Sequence, residues 1–157
     1  MEIIAAVYRH VRADVPLDTV YTLLADVPRS IAHFPDVDSV RETNGVWQWR
    51  LRELGAGPVR FQVTYSNRYH TDPDARRVWW ERVPSFGNTQ VDGRWILSPD
   101  GAGTRITMDA RFVIATGFPR LLRPAVEAVV AHENERLIGA YMQNLVKTLH
   151  GGDGRRR

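Results

Sequence analysis

The chain has 157 residues, 43% hydrophobic, 25% charged and 10% aromatic, with a formal net charge of +3 and no cysteine. A chain of this length suits one domain that buries about 70% of its unfolded surface, and the composition excludes a disordered or fibrous protein. The missing thiol excludes disulfides, thiolate metal sites and cysteine nucleophiles.

No apolar run approaches the roughly 20 residues of a membrane span. The opening stretch to Asp14 lacks the basic, apolar and small-residue order of a secretory signal. A cytoplasmic location without stable membrane insertion is therefore expected. The isoelectric point near 9.7 arises largely from the end of the chain, Gly151-Gly152-Asp153-Gly154-Arg155-Arg156-Arg157. That tail carries three arginines and one aspartate, which leaves the body near +1 and removes nucleic acid as an expected partner. His10, His33, His70, His132 and His150 include no pair at the spacing that sets two ligands on one helix face, so neither metal nor cofactor is expected.

Ile3–Asp14, rich in Ile, Val and Tyr, reads as a strand. Pro16 then suits a first helical turn with Asp14 as cap, and Leu17, Val20, Tyr21 and Leu24 follow the spacing of an amphipathic helix. A short second helix, about Arg29 to His33, should end before Phe34-Pro35. Beyond Val37 the period changes to two. Val37–Thr43 and Val46–Arg52 flank the tight turn Asn44-Gly45. Further strands are expected over Val59–His70, Arg76–Val83, Thr89–Ser98 and Thr104–Ala115, with turns at Gly55–Pro58, Asp72–Asp74, Pro84–Asn88 and Pro99–Gly103. Alternation places Trp47, Trp49 and Leu51 together, then Phe61, Val63, Tyr65, Asn67 and Tyr69, then Val91, Gly93, Trp95 and Leu97. The last element, about Arg120 to His150, carries an apolar stripe of Val126, Val130, Leu137, Ile138, Tyr141, Leu145 and Leu149.

A strand, two short helices, an antiparallel meander and a long terminal helix pack most simply as a curled sheet with the helix across its concave face. The fold class is thus α+β. The stretch Val11–Asp26, with Gly93-Arg94-Trp95-Ile96-Leu97-Ser98-Pro99 and Gly103-Thr104-Arg105-Ile106-Thr107, resembles the START-like (helix-grip, SRPBCC) superfamily, in particular its polyketide cyclase/dehydrase and coenzyme Q-binding branch. The resemblance covers about residues 3–149. It implies a helix-grip fold, a single ligand-binding domain over residues 1–150, and a cavity between sheet and helix for lipid-like or polycyclic molecules, while composition makes 151–157 a flexible basic tail. A hydrophobic small-molecule ligand (lipid, quinone or polyketide-like) is the expected partner of a monomer or weak homodimer.

Candidate ligand contacts are the inward aromatics Trp49, Tyr65, Tyr69, Trp80, Trp95 and Phe112, against the alternative that they simply fill the core. Asn67, Asn134 and Tyr141 join them as polar side chains on apolar faces, which need partners from the protein or from a ligand. Glu127 shares the helical spacing but is pulled towards water by its charge. An aromatase/cyclase or dehydratase would need an acid or base and a group that stabilises enolate charge, for which Tyr69, Arg82 and Tyr141 are the candidates. Resembling cyclases place an arginine inside, near the end of the strand before an Asp-Pro-Asp-like turn. In Ser66–Asp74 alternation instead puts Arg68 on the wet face and Tyr69 inward, while Arg82 shares a face with Trp80. The binding reading leads because no catalytic set assembles, and the enzyme reading is its alternative.

Overall fold

The computed structural model describes residues 1–151. Its elements run β1 (Glu2–Ala13), α1 (Leu17–Ala25), α2 (Val27–Ile31), β2 (Val37–Thr43), β3 (Val46–Leu51), β4 (Leu54–Ala56), β5 (Val59–Phe61), β6 (Thr64–Asp72), β7 (Arg77–Gly87), β8 (Thr89–Asp100), β9 (Gly103–Ala115) and α3 (Arg123–Gly151), with a single 3-10 turn at Arg120–Leu122. Seven strands form one antiparallel sheet in the order β1-β9-β8-β7-β6-β3-β2, and β4 pairs with β5 apart from it. The α+β helix-grip fold is the one expected from the order of elements. The remainder of the expected tail, residues 152–157, lies outside the described residues, and Gly151 closes α3.

The apolar stripe of α3 is buried along its whole length, from Val126 to Leu149, and Met142 and Glu133 are buried beside it. Glu127 is exposed and pairs with Arg123 one turn earlier. On the strands the inward positions Trp49, Tyr65, Val91, Trp95, Ile106, Met108 and Ala110 meet the stripe from Leu137 to Leu149 in the main core, while Val126 and Val130 pack with Ile3, Val59 and Ile114 in a second cluster. Gly93 has a specific reason to lack a side chain. The Trp80 ring lies across it, and a Cβ there would come within 2.5 Å of that ring.

Four local expectations are corrected. Asp14 does not cap α1: Pro16 occupies the capping position without a side-chain bond, and Asp14 pairs with Arg12 while its N–H donates to His150 Nε2 at 2.8 Å. The second helix starts earlier, at Val27, because the Asp26 carboxylate accepts from the Arg29 N–H and Pro28 fits the first turn. The single strand expected over Val59–His70 is two strands in different sheets. The break falls at Gln62-Val63, where the Gln62 carbonyl accepts from the Asn88 side chain and the Val63 carbonyl from the Leu51 N–H. Finally, Pro84–Gly87 is no turn. It continues β7 through a bulge between the pairs Asn67↔Arg82 and Tyr65↔Gly87, and the chain reverses at Asn88, whose side chain accepts from the Thr64 N–H at 3.1 Å.

Candidate functional site

The sheet and α3 bring six of the candidate residues together. Trp49 stacks on Tyr65 with centroids 5.4 Å apart, Tyr69 meets Trp80 at 5.6 Å, Trp80 meets Trp95 at 5.9 Å and Trp95 meets Tyr141 at 5.8 Å. Phe34, from the loop after α2, closes the chain of rings between Trp49 and Tyr141. These aromatics touch one another rather than enclosing a space.

Two of their polar groups find protein partners. Trp49 Nε1 donates to Asn67 Oδ1 at 3.2 Å, and the Tyr141 hydroxyl shares a 2.9 Å hydrogen bond with Ser30 Oγ of α2. Both bonds lie inside the core, where an unpaired group would cost about 1–3 kcal/mol. Burial pushes the phenols of Tyr65, Tyr69 and Tyr141 above their ordinary value. At neutral pH these groups are protonated, so they can donate a hydrogen bond but not act as bases.

The two arginines stand elsewhere. Arg82 is half-buried and held by Asp92 and Gln90 of β8, with Nε donating to Asp92 at 2.6 Å. Asp92 and Gln90 flank the inward Val91 on β8, while Arg82 stands opposite the buried Asn67 on β6, so this ion pair bridges β7 and β8 beyond their last ladder pair, Trp80↔Gly93. Arg68 is exposed and donates to the carbonyl of Asn44.

Space remains at the other end of the sheet–helix interface. A cavity of about 40 Å³ lies between β1, β9, the first half of α3 and the β4–β5 hairpin, with Phe34, Leu54, Phe61, Phe112, Glu133 and Asn134 in its wall. Phe112 and Asn134 are thus the two candidates that reach it. Small-molecule pockets typically span about 300–1,000 Å³, so this one is far smaller, with a volume no greater than a few waters would fill. A larger trough of about 780 Å³ is an open depression on the outer face of β7, β8 and β9, where Trp79 is ringed by Arg77, Glu81, Arg94, Asp109 and Arg111. It is separated from the core by the sheet itself, and part of its charge is tied up in the Arg94–Asp109 pair.

Sequence reading missed Glu133. It is 9% exposed, and its carboxylate accepts from the Gly55 N–H at 3.0 Å and from Arg136 Nε at 2.9 Å. Arg136 in turn reaches Asp36 at 2.7 Å. The Arg136 bond chiefly, then the Gly55 N–H, holds the Glu133 carboxyl below its ordinary value against the opposing effect of burial. The available signal was its place seven residues after Val126 and four before Leu137, on the same stripe. Gly55, its partner, has φ +110, and any Cβ there would strike the Val59 carbonyl at 2.0 Å. Among the described residues, no three His, Asp or Glu side chains are arranged to hold a metal ion, and no helix is long and apolar enough to cross a membrane.

A curved sheet gripping a long helix defines the helix-grip class of folds. Residues 5–150 match the family described as polyketide cyclase/dehydrase and lipid transport, and the chain belongs to that family. No curated protein sequence matches it. Among solved structures it is similar to the Zhui aromatase/cyclase from a Streptomyces species, at 17% identity over 95% of each chain with a TM-score of 0.70. Norcoclaurine synthase from Thalictrum flavum aligns over 98% of each chain at 10% identity and a TM-score of 0.66. A protein from Thermus thermophilus aligns over 92% of this chain and 99% of its own at 18% identity and a TM-score of 0.64. At these identities the likeness is one of fold.

Proposed function

We propose that the protein binds a hydrophobic small molecule, of lipid, quinone or polyketide type, beneath the β4–β5 hairpin and against the first half of α3. One observation carries this reading. The cavity is walled by apolar side chains, contains two polar ones, Glu133 and Asn134, and is roofed by a hairpin that is not part of the main sheet. Apolar walls with a few placed polar groups are the usual makeup of a ligand site. At about 40 Å³ the cavity admits such a ligand only when the roof moves outward. Two strands of three residues each are marginal on their own, so the roof is the element best suited to move. Family membership supports the ligand class, since the family takes in both polyketide cyclisation and lipid transport.

Native mass spectrometry and thermal-shift measurements with fatty acids, quinones and polycyclic aromatics test the reading. Saturating ligand at about 100 Kd stabilises the folded state by about 2.7 kcal/mol. Val63→Phe, which places a ring in the cavity wall, should abolish that gain. The proposal fails if no compound in the panel stabilises the protein, or if Val63→Phe leaves the stabilisation intact. The enzyme alternative would be favoured by a product change with a polyketide-producing partner enzyme that Tyr69→Phe or Tyr141→Phe removes.

A further inference from the structure

Strand β1 is one edge of the seven-stranded sheet, and its charged residues, Glu2, Arg9 and Arg12, all stand outside its central run. It runs for 12 residues in unbroken register with β9, without proline, glycine or bulge. Residues 3–8, Ile-Ile-Ala-Ala-Val-Tyr, bear no charge. Ile4 is 57% exposed and Tyr8 73% exposed, both on the outer face of the strand.

The direction of its free hydrogen bonds follows from the first pair. Met1 N donates to Thr116 O at 3.0 Å and Thr116 N to Met1 O at 2.8 Å, so these residues exchange both bonds. With the register unbroken, the odd-numbered residues of β1 bond to β9. The even-numbered ones, Glu2, Ile4, Ala6, Tyr8 and His10, aim their N–H and C=O groups at the open edge. Alongside runs a furrow of about 250 Å³ between β1 and α3, bordered by Ala6, Tyr8, Asn134 and Glu135.

We propose that this edge pairs with the same edge of a second copy of the chain, antiparallel about a two-fold axis at Ala6. Residues that face one another must point to the same side of a continuous sheet, so even positions meet even positions. With Ala6 on the axis, Ile4 faces the partner's Tyr8 and Glu2 faces the partner's His10. Arg105 lies behind His10, with its guanidinium 3.0 Å from His10 Nε2, which gives the Glu2 carboxylate a basic counterpart. The exposed apolar residues are thereby covered by each other, and at each end the Glu2 carboxylate meets His10 with the Arg105 guanidinium behind it. Cross-strand aromatic–aliphatic and opposite-charge pairs of this kind are the stabilising unit of antiparallel sheets.

The full chain, which has no cysteine of its own, offers a direct test. Ala6→Cys places a thiol on the proposed axis, where a bonded pair sets the Cα atoms about 5.5 Å apart, within disulfide range. Under mild oxidation this variant should cross-link much faster than Ile4→Cys, whose own copies stand apart in this register. Sedimentation of the wild type over a concentration series should show a reversible dimer. Tyr8→Lys should weaken it at least about tenfold, a change of about 1.4 kcal/mol. Ala6→Pro should do the same by deleting an edge N–H that makes no bond to β9, with circular dichroism reporting that both variants fold. A wild type that stays monomeric at every concentration overturns the proposal. So does a dimer insensitive to both folded variants, or cross-linking no faster at position 6 than at position 4.

Discussion

Tyr141 and Ser30 face each other in the middle of the core, 2.9 Å apart, and fasten α2 to α3. Neither atom reaches water, so each depends on the other. Replacing Tyr141 by Phe removes one partner and leaves Ser30 Oγ buried alone. The expected loss is about 1–3 kcal/mol, read from the shift of the urea midpoint at unchanged m. Adding Ser30→Ala should return part of that loss, because the orphaned hydroxyl is then gone. A stability unchanged in Tyr141→Phe would show that the pair contributes nothing. The same residue explains why polar side chains on apolar faces were legible as notable but ambiguous in purpose. Period and burial locate Tyr141 and Asn67, whereas their partners, Ser30 and Trp49, come from elements more than a dozen residues away in the chain.

At the scale of elements, the β4–β5 hairpin is the part that alternation could not resolve. Val59–His70 reads as one continuous strand because its side chains alternate across the break. What divides it is backbone bonding to Leu51 and Asn88, which leaves no mark on the period. The hairpin is tied to α3 through Glu133, whose carboxyl is held below its ordinary value of 4.5. A depressed carboxyl contributes stability that is complete above its unfolded value and lost as pH falls through its folded one. The Gly55 amide resonance should therefore move with pH below 4.5, and Glu133→Gln should abolish that titration. The same variant should speed hydrogen exchange across Leu54–Phe61 while the β8–β9 ladder stays protected. Exchange equally fast in both regions of the wild type would contradict a separately moving roof.

For the molecule as a whole, the order of elements was enough to read the helix-grip fold, since each amphipathic face has one economical place to go. The stripe on α3 was legible residue by residue. The state of the interior was not. Whether inward rings line a space or fill it depends on how side chains from distant strands and α3 interdigitate, and here Trp49, Tyr65, Trp80, Trp95 and Tyr141 close on each other. Strand order also lay beyond the period, because an unbroken meander does not disclose that β1 returns to pair with β9.

That return has a kinetic side. Met1 bonds to Thr116 across 115 residues of sequence, so β1, which precedes the other elements in chain order, finds its partner strand only once β9 has been synthesised. Contacts of such long sequence separation slow folding, because loop closure must come before any gain from the contact. Docking of β1 is thus expected late, after the folding transition state. Val7→Ala, which trims a buried side chain of β1, should speed unfolding and leave the refolding rate nearly unchanged, as a chevron measured at low protein concentration will show. Until β9 arrives, the uncharged run Ile3–Tyr8 stays open to any passing strand. The nascent chain is most vulnerable to aggregation during that interval.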